Sequence, residues 1–479
     1  MNAGVDEFGP TKGQGRRTPD ASVRLASKAA KMRFADLSPK VVAIAKWGIL
    51  DTLGVCLAAT APESEYLQPV RALLAKTGSA GTVPAPALGK RYSLFDGILW
   101  LGALSHTLDF DDVAGYSHPS APVVCAALPV AHQQSSVTGE DFITAVALGQ
   151  DLVIRLAQAL PRPVSEYGWL PSIPGTMGAA LATSKVLGLE ADRTQNSLGL
   201  ALHQTCGTMQ ALARPGSAYR AIREGFNARA GALAAILAGH GMAGDDASIE
   251  GRFGYFDQYF KGEYDAEFLN DPELLGPLDA FKPWPCAGHP QLFLTAVADL
   301  LKNGLIRPDY VKSVRLIGCS DLLPQQCAPL AERAAPIHSI DAKSSIPFLV
   351  GKLIQHGNLT LDDFSKDGLL DHAAIDIGLR VEWALDPGLK RGSNGFGRGV
   401  VEIEHYDGTR VRAETEFPLG HPENPLTWPD LVKKFRACVA ASTISSSVDT
   451  DEIIEFINSL EFVPDAGKLL ELVFEGGHE

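Results

Sequence analysis

From about residue 38 to residue 270 the apolar residues recur at helical spacing, with polar turns between the runs. Ser38-Pro39 is a helix start, serine as the capping side chain and proline at the first helical position, and it opens the apolar segment VVAIAKWGILDTLGVCLAAT over 41–60. Thr138, with Asp141 three residues on, caps a second segment running to about 160. Alanine- and glycine-rich stretches at 176–188, 197–213 and 227–243 carry few bulky side chains and predict helices that approach one another closely. If 99–112 is a helix, His106 and Asp109 share one face while Asp111 and Asp112 point elsewhere, and 121–133 reads as the next helix.

The period changes near residue 280. Residues 374–385 alternate Ile375, Ile377, Leu379, Val381, Trp383 and Leu385, which predicts a half-buried strand, and VKSVRLIG at 311–318 predicts another. GVVEIEHYDGTRVRAETEF reads as a hairpin turning at Asp407-Gly408. Helical spacing returns after Thr427, whose cap is reinforced by Asp430, and continues through DEIIEFINSL. The expected fold is mainly α with a second α+β domain: a disordered tail over 1–20, an all-helical domain from 21–275 and 421–479, and an α+β domain at 276–420.

Composition narrows the function classes. The chain has 479 residues, 46% of them hydrophobic, and a formal charge of −14. It has the content for large buried cores, and the acidic balance argues against a nucleic-acid partner, which needs a basic face. Seven scattered cysteines without a C-x-x-C pair point to reduced thiols in a cytoplasmic protein, with neither a disulfide framework nor a zinc site. No apolar run follows Arg16-Arg17, so no export signal is expected. Lys46 and Asp51 interrupt the 41–60 segment, which therefore reads as a core helix and not as a membrane span.

The densest chemistry is HTLDFDDVAGYSHPSAPVV, residues 106–124, where Asp109, Asp111 and Asp112 lie between His106 and His118. Three readings stand side by side. A carboxylate-held magnesium site would want D-D-x-x-D and a second acidic motif, which D-F-D-D does not supply. A solvated helix end is the plain structural reading. An active-site loop is the third, with His118-Pro119-Ser120 presenting an imidazole beside the start of the next helix, whose free N–H groups favour a substrate carboxylate.

HTLDFDDVAGYSHPSAPVVCAALPVA resembles the signature of the MmgE/PrpD family, a group of dehydratases, decarboxylases and epimerases. AKWGILDTLGVCLA, GTMGAALATSKVLGL, FKPWPCAGHPQLFLTAVADLL, APIHSIDAKSSIPFLVGKLIQHG and DGTRVRAETEFPLGHPENPLTW extend the resemblance over nearly the whole chain after residue 21. It implies a helical domain plus a smaller α+β domain, a homodimer, and an active site between the domains that uses neither metal nor organic cofactor. It also implies proton transfer next to a carboxylate on a small polycarboxylic acid, with Asp109, His118 and Lys282 as catalytic residues. The chain departs from the family pattern in four places. Arg220 replaces a lysine, Glu224 and Leu170 replace histidines, and Ala287 replaces a histidine with His289 two residues beyond. Arginine clamps a carboxylate but does not readily trade protons. Arg220, Arg223, Ser120 and His289 are accordingly the expected substrate-binding residues. A cofactor-independent lyase is the leading expectation, an epimerase or isomerase the alternative, and an inactive carboxylate-binding or scaffold protein the third.

Overall fold

The computed structural model describes residues 19–61, 65–115, 117–213, 215–389 and 397–475. The expected tail lies outside these up to residue 18. Asp20 is already engaged: its carboxylate caps the helix Ala21–Lys31 through the Ser22 N–H and accepts the Glu250 N–H at 2.7 Å.

The apolar segment after Ser38 forms the helix Pro39–Ala58, capped by Ser38 Oγ on the Val41 N–H. It is long and apolar enough to cross a membrane, yet 78% of its most apolar window is buried in the fold. The two charges that interrupt the apolar segment are paired there, Lys46 with Glu461 and Asp51 with Lys434 at 2.6 Å. Around it pack Leu94–His106, Ser120–Gln134, Gly139–Gln158 and Trp428–Ala440. Thr427 and Asp430 form the reciprocal cap of the last of these, as the spacing predicts. Phe435, Val439, Ile453, Ile457 and Leu470 join the same apolar cluster as Ile49, Trp100 and Phe142, so the chain's C-terminal helices return to the first core.

Small residues let helices meet closely, both within the predicted stretches, where a Cβ on Gly231 would stand 2.6 Å from Ala179 Cβ, and outside them. A Cβ on Gly225 would stand 2.5 Å from the Leu99 carbonyl oxygen, and one on Gly102 2.6 Å from the Gly225 Cα. The helices Leu94–His106 and Ala218–Gly239 therefore cross backbone against backbone. That crossing sets Arg220, Arg223 and Glu224 beside the end of the first helix, where His106 sits.

The second core is a four-stranded sheet in the order Val381–Leu385, Val311–Gly318, Gly399–His405, Arg410–Thr415. The first pair is parallel and the others antiparallel. The last two strands form the expected hairpin, with Gly408 at φ +84° in its turn. Pro290–Lys302 and Ile346–His356 supply Phe293, Val297, Phe348 and Leu349 to the core beneath the sheet.

Four expectations need correcting. Residues 372–378 are helical, not extended: Asp371 caps His372–Gly378 by accepting the Ala374 N–H at 3.2 Å, and the strand begins only at Val381. Alternating apolar residues thus span a helix end and a strand. The helix over 99–112 stops at His106. The 197–213 stretch is broken, since Ala191–Leu202 ends before a loop and Gln210–Ala213 is a single turn. The helical domain also carries a small antiparallel pair, Ala80–Ala85 with Lys90–Tyr92, closed by the left-handed residues Ala87 and Gly89.

Gly225→Ala should cost about 1–3 kcal/mol or more in stability, because the new methyl meets backbone that cannot rotate away. Urea denaturation of the two proteins would measure it, and an unchanged midpoint would show that the crossing is looser than described.

Candidate active site

The site begins where the helix Leu94–His106 ends. The Asp109 N–H closes a turn on the His106 carbonyl at 2.8 Å, and Asp109 itself takes φ +50°. Aspartate is among the few residues that tolerate this left-handed conformation. The turn sends the three carboxylates in different directions, and each meets a different partner.

Asp109 faces the seam between the two cores. Lys282 Nζ donates to its Oδ1 at 2.8 Å and to its carbonyl at 3.0 Å, while Arg220 reaches its Oδ2 at 3.5 Å. Burial alone would raise the Asp109 carboxyl, but the Lys282 ammonium, backed by His106 and Arg220, holds it far below the usual carboxylate range. Lys282 responds in kind: burial pulls its ammonium down, and Asp109, then Asp111, lift it above the ordinary lysine value.

Asp111 turns inward to two imidazoles. His106 Nδ1 lies 2.9 Å from its Oδ1 and His118 Nδ1 3.0 Å from its Oδ2, with the rings edge-to-face at 4.6 Å. His118 Nδ1 also lies 3.1 Å from the Asp112 carbonyl. Burial and the nearby Arg223 pull His106 down to about 4, so it is neutral near pH 7. The donor atoms of His106, Asp111 and His118 fall within 4.8 Å of one another, close enough to hold a cation. The sequence spacing, which led us to expect no metal-binding cluster, does not anticipate this grouping. Here both Nδ1 atoms already meet the Asp111 carboxylate.

Asp112 lies against the start of the helix Ser120–Gln134 and accepts the Ser120 N–H at 3.1 and 3.2 Å. Its carboxyl also meets Asp279, and burial pushes both carboxyls up. Among the described residues Asp279 Oδ2 has no N–H or O–H donor, and a proton shared between the two raised acids would satisfy it. Beside them, backbone bonds of 2.8 and 3.0 Å join Val113 and Ala280, lacing the loop to the segment that carries Lys282.

Above the loop opens a cleft of about 200 Å³ whose walls include Asp109, His118, Arg220, Arg223, His289 and Arg333. Five of the expected site residues thus share one cavity. Lys282 sits behind Asp109, outside this lining, and acts through it. Ser120 does not belong to the cleft: the helix N-terminus expected to receive a substrate carboxylate is filled by Asp112, and the Ser120 hydroxyl accepts from Gln150 Nε2 at 2.8 Å. His289 lies at the rim with Nδ1 on Gln326 Oε1 at 2.5 Å, and burial pulls it down to about 4.

The substituted positions are all at or beside the cleft. Leu170 and Ala287 line it. Glu224 is buried next to Arg223, accepts from Asn227 Nδ2 at 2.9 Å, and is pushed up by burial toward its neutral form. Residues missed from the sequence include His106 and Asp111 in working roles, and Arg333 and Lys343 from the second domain. Lys343 is 2% exposed, and burial pulls its ammonium down to about 8. Only the fold brings these groups to the seam.

A helical body and an α+β layer that close a cation-rich cleft over a buried carboxylate and two imidazoles define a two-domain protein with a small-molecule site of the acid/base type. The MmgE/PrpD N-terminal domain model matches residues 23–267 and the MmgE/PrpD C-terminal domain model residues 284–460, and the chain belongs to the MmgE/PrpD family. Among curated proteins it is similar to a cis-aconitate decarboxylase of Aspergillus terreus, 28% identical over 370 residues and 74% of each chain. It is also similar to the Homo sapiens cis-aconitate decarboxylase, 25% identical over 463 residues and 92% of each chain. A cis-aconitate decarboxylase-like protein of Aspergillus oryzae is 23% identical over 482 residues, 95% of this chain and 98% of that one.

Lys282→Met should destabilise the fold by about 3–5 kcal/mol, because it strands a buried carboxylate. In the intact protein the depressed Asp109 keeps the pair's contribution at all pH values above the ordinary carboxylate range, and it is lost only in stronger acid. In the variant burial raises Asp109, so stability should instead fall as pH rises through that raised value. Adding Asp109→Asn should recover most of the loss in denaturation curves; equal curves for single and double variants would refute the pairing.

Proposed function

We propose that the protein is a lyase, of decarboxylase or dehydratase type, that moves a proton at a carbon next to a carboxylate of a small polycarboxylic acid. The observation that carries this reading is His118 on the cleft wall, its Nδ1 held by Asp111 and facing a surface that bears Arg220, Arg223 and Arg333. The names of the relatives favour the decarboxylase form.

In this reading the guanidinium groups hold the substrate carboxylates, and bidentate pairing fixes the reacting carbon within reach of His118. With Nδ1 engaged, Nε2 is the nitrogen that exchanges the proton. In a decarboxylation the C–C bond to the leaving carboxylate breaks, carbon dioxide departs, and imidazolium protonates the electron pair left on carbon. In a dehydration His118 removes the proton and the hydroxyl leaves, protonated, as water. Either route passes through negative charge that the arginines stabilise, with Lys282 acting through Asp109 behind them. In this reading Asp109, held ionised by its cations, orders Lys282 and Arg220 and does not itself trade protons. No step calls on a metal or an organic cofactor. An epimerase or isomerase, which needs the same proton transfer but no leaving group, is the second reading.

His118→Ala should lower turnover about 10²- to 10⁴-fold while changing ligand affinity little. A thermal-shift screen of di- and tricarboxylates, followed by NMR of proton exchange in D₂O, checks both halves; full exchange in the variant would remove His118 from the chemistry. Affinity for a carboxylate should also weaken as pH rises through about 8, where Lys343 loses its charge. Lys343→Met should flatten that profile, measured by calorimetric titration between pH 6.5 and 9.5, values chosen to bracket about 8.

A further inference from the structure

The cleft lining is of two kinds: Arg220, Arg223 and Arg333 are charged, while Leu170, Pro171, Met209 and Leu212, with Leu322 from the second domain, make up an apolar wall. The wall is built, not incidental. The Leu170 N–H donates to the Gly207 carbonyl at 2.9 Å and the Met209 N–H to the Gly168 carbonyl at 2.9 Å, so two loops are zipped edge to edge. Gly207 takes φ +129°, a conformation that glycine adopts freely, in the bend that makes this possible. Trp169 pins the pair by donating Nε1–H to the Tyr259 carbonyl at 2.9 Å. Leu212 remains 41% exposed and Met209 half-buried, so apolar surface is left open to whatever enters the cleft.

A carboxylate or hydroxyl set against these five side chains would give up its water without a donor in return, while a hydrocarbon chain would shed water from both surfaces. We infer that the substrate is amphipathic, with its reacting carboxylates at the arginine side and an alkyl arm of several carbons along the Leu170–Met209–Leu212 wall. This rests on the lyase reading for the identity of the ionised end. It goes beyond that reading in excluding a compact polyacid as the best substrate.

The probe is a homologous series: succinate and 2-methyl-, 2-propyl-, 2-pentyl- and 2-heptylsuccinate. Affinity is read by calorimetry, and exchange of the proton next to the carboxylate by NMR in D₂O. Each added methylene should tighten binding about three- to fourfold until the wall is covered. Met209→Gln and Leu212→Asn, both at partly exposed positions, should each flatten that slope. Tightening with chain length without exchange upholds the apolar arm and sinks the lyase reading. Exchange with a flat affinity series does the reverse. No binding by any member overturns the arm.

Discussion

The buried pair between Asp109 and Lys282 is the contact on which the site depends. It joins the loop after the helix Leu94–His106 to the segment that leads into the second domain, and Arg220 closes on it from the helix Ala218–Gly239. Taking both charges out of water costs several kcal/mol per ion, and the pair is retained only because the geometry returns that cost. Lys282 bonds both the carboxylate and the carbonyl of the same residue, which the left-handed turn at Asp109 presents together. The position of the cleft follows. Once Asp109 is fixed, Arg220 is drawn to its floor and His118 is set a few residues further along the same loop.

The loop uses its three aspartates for three separate tasks. Asp109 neutralises cations, Asp111 orients two imidazoles, and Asp112 shares a proton with Asp279 while satisfying the start of the helix Ser120–Gln134. Three buried carboxylates within four residues would repel one another strongly if all were ionised with no partner. The arrangement avoids this by surrounding two with positive or donor groups and keeping the third partly protonated. Asp111 and Asp112 thereby form a rigid base under His118, whose Nδ1 sees both the Asp111 carboxylate and the Asp112 carbonyl.

Much of this was legible before any coordinates. Caps at Ser38, Thr138 and Thr427 mark true helix starts, and the Asp407-Gly408 turn is where expected. These are local signals, decided by a few neighbouring residues. The failures are those in which tertiary contacts decide. Alternation over 374–385 fits a strand, but a cap at Asp371 and packing of Ala374 against Gly351 make its first half helical. In the site, Asp109 and His118 were visible by resemblance, whereas the partnership of His106 with Asp111 needs the helix to stop at His106. Arg333 and Lys343 carry no local signature, since their importance comes from the seam between domains.

The substitutions at the cleft form a consistent set. Arg220 keeps the charge of a lysine while giving up its proton traffic, and its contact with Asp109 shows where that charge is needed. Leu170 and Ala287, where the family resemblance places histidines, put apolar side chains in the cleft lining. Glu224 is buried, biased toward its neutral form and held by Asn227, so it shapes the seat of Arg223 without adding a full negative charge to the floor. On the proposed lyase reading, these positions leave His118 as the imidazole of the cleft wall that exchanges the proton, in a lining that mixes arginines with apolar side chains. The lyase reading accounts for these features together: Asp109 paired with Lys282, Asp111 between two imidazoles, and three arginines in the cleft lining form an acid/base and carboxylate-holding set that an inactive scaffold would not need.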